Sequence, residues 1–182
     1  HLVGDLESWD QTVEAKYKDL LPRKLPTKDN ERRKTLIGNR IMIGSELGRQ
    51  KAEKKEWVTE ADLTPQGRVR NMNLDGIDVA VLSPNSPALD IVWFVDDPEL
   101  GAAYARAQNN YMNWYASQQP GRLMWAGVIP LQDPQEAIKE LHRSRELGSK
   151  ALNVKATPIP GKEWWDPYFD PIFDELEKTK TP

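Results

Sequence analysis

Four times along this chain an oxygen-bearing side chain is followed directly by proline and a helix-forming stretch: Thr64-Pro65, Asp97-Pro98, Asp133-Pro134 and Asp170-Pro171. Proline at the first helical position has no N–H to leave unpaired. The side-chain oxygen before it caps the free amides of the first turn, so each pair fixes a helix start. The helices so opened run to Asp75, where Gly76 stops the first, to about Gln118, to Leu147-Gly148, and through Lys178. Between them lie short apolar runs, Ile77 to Leu82, Leu123 to Ile129 and Ala151 to Ala156, each broken by a nearby proline (Pro84, Pro130, Pro158). Such runs suit buried parallel strands. Strand, proline-bearing loop, capped helix, strand is the succession of βαβ units, so an α/β fold with a parallel sheet is expected. Right-handed crossovers then leave a doubly wound sheet or a barrel, and spacing alone leaves both open. Three strands are too few to close a barrel, and Thr179-Lys180-Thr181-Pro182 reads as the lead-in to another strand.

Residues 1–63 do not share this rhythm and are read as an irregular N-terminal insertion in one domain spanning residues 1–182. Leu6, Trp9, Val13, Tyr17 and Leu20/Leu21 recur at three- and four-residue steps, which predicts a short amphipathic helix over Asp5 to Leu21, ended by Pro22 and Pro26. Thr35 to Ile43 reads as a β-hairpin turning at Gly38-Asn39. Arg49 to Asp62 is charged, with Trp57 as its one large apolar anchor, and is taken for a surface loop or lid.

Composition narrows the function classes. With 38% hydrophobic and 29% charged residues the chain is globular in type. A net charge of -3 offers neither a nucleic-acid footprint nor a membrane-surface patch. No apolar run approaches the ~18 residues of a membrane helix, and no secretory segment opens the sequence. A cytoplasmic protein is expected. The absence of cysteine removes disulfides, thiolate metal sites and a cysteine nucleophile. No Gly-rich phosphate loop, Gly-x-Ser-x-Gly elbow or His-Glu-x-x-His helix occurs. Asp96-Asp97, Asp166 and Asp170 are helix-start carboxylates, explained by capping and the helix dipole. The stripe Ala137, Ile138, Leu141 and the stem of Arg145 would be the buried face of its helix, which puts His142 at a surface or half-exposed position. Arg68 and Arg70 read as helix-surface charges.

Several segments in order are similar to one family. Gly76-Ile77-Asp78-Val79-Ala80-Val81-Leu82 resembles the second barrel strand of the amidohydrolase-2 family, which includes aminocarboxymuconate-semialdehyde and resorcylate decarboxylases. Ala105-Arg106-Ala107-Gln108-Asn109-Asn110-Tyr111 with Pro120-Gly121-Arg122-Leu123 resembles the helix and strand that follow. Val128-Ile129-Pro130-Leu131-Gln132-Asp133-Pro134, with Ala137, Glu140-Leu141 and Leu147-Gly148, is similar to the next unit, and Asp166-Pro167-Tyr168-Phe169-Asp170-Pro171 to the segment opening the following helix.

The resemblance runs from about Thr64 to Pro182. It implies an amidohydrolase-type TIM (β/α)8 barrel, present here as a partial barrel of about strands 2–4 with their helices. In such barrels chemistry sits at the C-terminal strand ends, here Ser83-Pro84-Asn85, Pro130-Leu131-Gln132 and Lys155-Ala156-Thr157.

The resemblance also implies one divalent metal ion, zinc or else manganese, held by an acidic or His residue, His1, a later His and a later Asp that serves as general acid/base, with the catalytic residues expected beyond Pro182. His1 resembles the second half of the family's first-strand motif, with Trp9 at the family's distance, although Gly4 stands where the family often has Glu. Lys155 is read as a strand-end lysine reaching solvent or pairing with a substrate carboxylate, since the branch resembled works without a metal-bridging carboxylated lysine. Asn85, Trp93 and Trp164 are the candidate substrate-binding residues, with Phe94 and Trp165 beside them. The expected function is metal-dependent hydrolysis of a small organic substrate, such as an aromatic compound or a carboxylate; the alternatives are non-oxidative decarboxylation on the same scaffold, or else an inactive fragment or a non-catalytic binding or structural module. The family often forms homodimers.

Overall fold

The computed structural model describes residues 8–28, 31–44, 64–84, 88–156 and 158–182. Its centre is a parallel sheet of β4 (Ala80–Leu82), β5 (Leu123–Val128) and β6 (Ala151–Asn153), in that order. The crossovers are α4 (Pro98–Ser117) and α5 (Pro134–Glu146). A helix α2 (Pro65–Asp75) precedes β4, and α6 (Asp170–Thr179) follows β6. The chain returns beside β6, where the Pro182 carbonyl accepts from Leu152 N at 2.9 Å.

Helix starts follow the cap-proline pairs. Thr64 accepts from Gly67 N at 3.0 Å, Asp97 from Glu99 N at 2.9 Å, and Asp133 from Gln135 N at 2.7 Å. The last helix departs from expectation. Asp170 caps nothing; Asp166 caps a 3-10 turn (Pro167–Phe169) that runs straight into α6. Gly76 ends α2 in the left-handed conformation (φ 70°) that glycine adopts without strain.

Two strands are shorter than their apolar runs. The β6 ladder stops at Asn153 opposite Val128, and two residues on Pro130 has no N–H to extend it. Strand β4 pairs only from Ala80. Its residues alternate between faces: Leu82 packs with Met72, Met112, Tyr115 and Trp125 under the helices, whereas Val79 and Val81 are 44% and 57% exposed. The β4 run is therefore not buried on both faces, although on β5 both faces are largely covered.

Further differences lie outside the sheet. An unexpected helix α3 (Ala88–Phe94) carries Trp93 and Phe94. The N-terminal segment is not one helix but a four-residue α1 (Trp9–Thr12) and a 3-10 turn (Ala15–Leu20), although Trp9, Val13 and Tyr17 are buried as the periodicity requires. The hairpin turns at Gly38-Asn39 between β2 (Lys34–Ile37) and β3 (Arg40–Ile43), and β1 (Arg23–Leu25) adds a third antiparallel strand. Arg49 to Asp62, with Trp57, lies outside the described residues. Arg68 is half-buried and bonds the Tyr115 hydroxyl rather than lying on the surface. Arg145 is exposed, and Glu140 and Ser144 take the buried places on α5.

Glu140 is 3% exposed. It is tolerated because Arg143 grips it twice, with Nε to Oε2 and Nη2 to Oε1 both at 2.7 Å, and Asn109 Nδ2 reaches Oε1 at 2.6 Å. Asn109 also clamps β5 from α4: its Oδ1 accepts from Val128 N at 2.9 Å and its Nδ2 donates to Val128 O at 2.8 Å. Asn110 extends the network, accepting from Arg143 at 2.8 Å and donating to Thr12 O at 3.1 Å. A buried charge left without its partner costs about 3–5 kcal/mol. Arg143→Met is thus expected to lower unfolding free energy by about that amount, read from urea denaturation. Asn109→Ala should cost about 2–4 kcal/mol, since it strands two backbone groups and weakens the carboxylate's environment.

Close packing of α5 on β5 gives a second expectation. A Cβ on Gly127 would lie 3.1 Å from Ser144 Oγ and 3.2 Å from Leu152 Cδ2. Gly127→Ala should destabilise by about 1–3 kcal/mol, and a Gly127→Ala/Ser144→Gly double variant should recover part of the loss in the same melt.

Candidate functional site at the strand ends

The C-terminal ends of β4, β5 and β6 lie side by side, as parallel pairing in sequence order requires. Ser83, just past β4, donates to Asn153 Oδ1 at 2.6 Å, and Asn153 Nδ2 donates to the Ala126 and Gly127 carbonyls at 3.1 and 3.3 Å. A polar link therefore spans β5 from the outer strands. Alternate strands contribute to one layer in this way inside a barrel.

Helix α3 lies above these ends and is tied down by polar contacts. Trp93 is buried and its indole Nε1 donates to Ile129 O at 2.7 Å. Gln132 turns inward, donating to the Val92 and Val95 carbonyls at 2.7 and 2.9 Å. Tyr168 Oη donates to Gln132 O at 2.6 Å, and burial together with the Asp133 carboxylate raises its pKa, so it stays a donor. Trp164 Nε1 bonds the Lys155 and Ala156 carbonyls at 3.1 and 3.2 Å, and its ring packs on Phe169 at 4.9 Å. Trp165 beside it is 81% exposed. Lys155 pairs with Asp90 of α3 at 3.1 Å. His142 is exposed, as expected, and meets Glu175 of α6 at 3.0 Å.

A cleft of about 690 Å³ opens beside these groups, between the β2–β3 hairpin, α3 and the loop after β6. Trp93, Phe94 and Lys155 line it; Trp164 does not. Asn85 and His1 lie outside the described residues. Arg40, Arg32 and Asp90 also line the cleft, and the reading of the sequence passed over them. Asp90 carried a signal: it is the lone charge in Ala88-Leu89-Asp90-Ile91-Val92-Trp93-Phe94. Arg40 carried none, because the hairpin reaches the cleft only through tertiary contacts. It donates to Phe94 O at 2.9 Å and Asp96 Oδ1 at 2.7 Å and lies 4.4 Å over the Phe94 ring. Among the described residues no group of three His, Asp or Glu side chains could hold a metal ion, and no helix is long and apolar enough to cross a membrane.

An α/β domain that presents parallel strand ends to a cleft defines the class. The chain belongs to the amidohydrolase family, whose model matches residues 56–182 and whose fold is the TIM barrel. It is 31% identical over 115 residues to a 2-amino-3-carboxymuconate-6-semialdehyde decarboxylase of Dictyostelium discoideum, covering 63% of this chain and 31% of that protein. A 5-carboxyvanillate decarboxylase of Novosphingobium aromaticivorans, crystallised with manganese and 3-methoxy-4-hydroxy-5-nitrobenzoic acid, superimposes with TM-score 0.56 at 30% identity. That match covers 63% of this chain and 32% of the other. An amidohydrolase of Mycobacterium avium subsp. paratuberculosis K-10 matches the fold over 100% of this chain and 55% of its own, with TM-score 0.72 at 21% identity. The chain thus spans about a third of the length of the curated relatives it matches.

Trp93→Phe removes the bond to Ile129 O and empties part of the buried indole site; differential scanning calorimetry should show a loss of about 2–4 kcal/mol. Lys155→Gln, by contrast, breaks a half-exposed pair and should change stability by under about 1 kcal/mol.

Proposed function

We propose that the protein carrying this chain is a metal-dependent decarboxylase that removes a carboxyl group, without oxidation, from a small aromatic or enoic acid. Residues 64–182 would supply strands 2–4 of its barrel with their helices, behind an N-terminal insertion of 63 residues. The observation that carries the reading is the 30–31% identity to decarboxylases over 63% of this chain. It favours decarboxylation over the hydrolysis that the family's name suggests. The open inner face of β4, apolar at Val79 and Val81, supports the barrel, since a doubly wound sheet would cover both faces with helices.

Manganese stands in the related carboxyvanillate enzyme, so a divalent ion, manganese or zinc, belongs to the proposal. Among the described residues no three His, Asp or Glu side chains group to hold it; His1 is kept as the candidate ligand from this chain. No step is therefore derived through the metal. What the chain's own groups would do is bind and orient. Trp93, fixed by Ile129, and the Ser83–Asn153 link give a rigid floor, and Asn85 and Trp164 are kept as candidates for substrate contact. A homodimer is the proposed assembly.

The test is direct. Protein produced with manganese should release carbon dioxide from 2,6-dihydroxybenzoate, 5-carboxyvanillate or aminocarboxymuconate semialdehyde, and removal of the metal by a chelator should abolish the release. Release of amine or alcohol from amide or ester substrates, with no carbon dioxide from any of the three acids, would overturn the proposal in favour of hydrolysis.

A further inference from the structure

The cleft has a wall that the family match does not reach. Residues 32–44 form one side and precede the matched segment at residue 56; Lys155 and the loop to Glu163 form the other. Four cations, Arg32, Arg40, Lys155 and Lys162, line it against two carboxylates, Asp90 and Glu163. That local excess is positive in a chain whose net charge is -3.

Three of the cations are already engaged. Arg40 is spent on Phe94 and Asp96, Lys162 pairs with Asp166 at 3.5 Å and lies over Tyr168, and Lys155 meets Asp90. Among the described residues none pairs with Arg32. Lys155 has donors to spare, because an ammonium carries three N–H groups and Asp90 takes one direction. The rest of the lining is flat and apolar, from Met42 and Ile43 on the hairpin to Phe94, Pro158, Ile159 and Pro160. A volume of about 690 Å³ falls within the range of small-molecule sites.

We infer that this cleft binds the remote end of an acidic small molecule, holding a flat apolar body against Ile43, Phe94 and Ile159 and an anionic carboxylate group between Arg32 and Lys155. The inference rests on the proposed reading only in placing chemistry at the neighbouring strand ends. Selectivity for the part of the substrate away from the reacting carbon then lies in the N-terminal hairpin. Arg40 ties the hairpin to the α3–α4 junction through Phe94 and Asp96.

Equilibrium binding to the protein that carries this chain, freed of metal by a chelator, separates this from the question of catalysis. The probes are 2-naphthoate and its neutral counterpart 2-naphthamide, followed by titration calorimetry. Naphthoate should bind about tenfold or more tightly than the amide, and the preference should shrink as salt rises from 0.05 to 0.5 M. Arg32→Gln and Lys155→Gln should each weaken naphthoate about three- to tenfold and leave the amide unchanged, while Arg70→Gln on exposed α2 changes neither. Equal affinity for the two probes, no binding of naphthoate, or indifference to both cleft substitutions overturns the inference. Because no turnover is read, carbon dioxide release with a silent cleft, or binding without release, tells the two proposals apart.

Discussion

The structure depends on one buried polar junction, where α4, β5 and α5 meet around the Glu140 carboxylate. Asn109 offers its side-chain amide to both the N–H and the C=O of Val128, in effect adding one rung of ladder from a helix. The same amide and the Arg143 guanidinium neutralise Glu140. In a low-dielectric interior such a network holds only when every member is present. Two crossover helices are thereby fixed against the strand they flank. Asn110 carries the junction on to α1 through Thr12, and Arg106 binds Glu14 just beyond it, so the N-terminal segment is anchored to the same place. Trp9 completes the anchor, with its ring against Tyr104 at 5.3 Å and its Nε1 on Gln108 at 2.9 Å.

What the junction holds in place is a sheet with one face of β4 left open. Leu82, Leu123 and Trp125 are sealed beneath α2 and α4, and Gly127 lets α5 approach closely. The opposite face carries Val79 and Val81 exposed at its lower end and the Ser83–Asn153 link at its upper end. Helix α3 closes over the upper end, held by Trp93 and Gln132 rather than by an apolar stripe alone, and it brings Asp90 to Lys155.

Much of this was legible because it is local. A cap-proline pair acts within four residues, so α2, α4 and α5 begin where the sequence sets them; α6 is displaced only because Asp166 supplies an earlier capped turn. Gly38-Asn39 fixed the hairpin and Gly76 the end of α2 for the same reason. Strand lengths were less legible, since a ladder ends where its partner ends: Pro130 on β5, not the Ala151–Ala156 run, terminates β6. Arg68 and Glu140 were hidden more deeply. Nothing near them in the chain says that a charge will be buried, and their partners Tyr115, Asn109 and Arg143 come from a neighbouring helix or another turn. The motif around Asn109 was recognisable as a family segment, but its physical purpose emerges only with Val128 beside it.

The sequence by itself determined the α/β alternation, the helix starts, the hairpin and the family, because caps, turns and apolar runs act over a few residues and their order survives without contacts. Only the tertiary structure decided that one face of β4 stays exposed at Val79 and Val81, that an acid is buried at the α4–β5–α5 junction, and that a hairpin outside the family-matched segment walls the cleft at the strand ends. These features join residues far apart in the chain, such as Ser83 with Asn153 and Arg40 with Asp96. No local pattern encodes such pairings, since each is fixed by how the intervening elements pack.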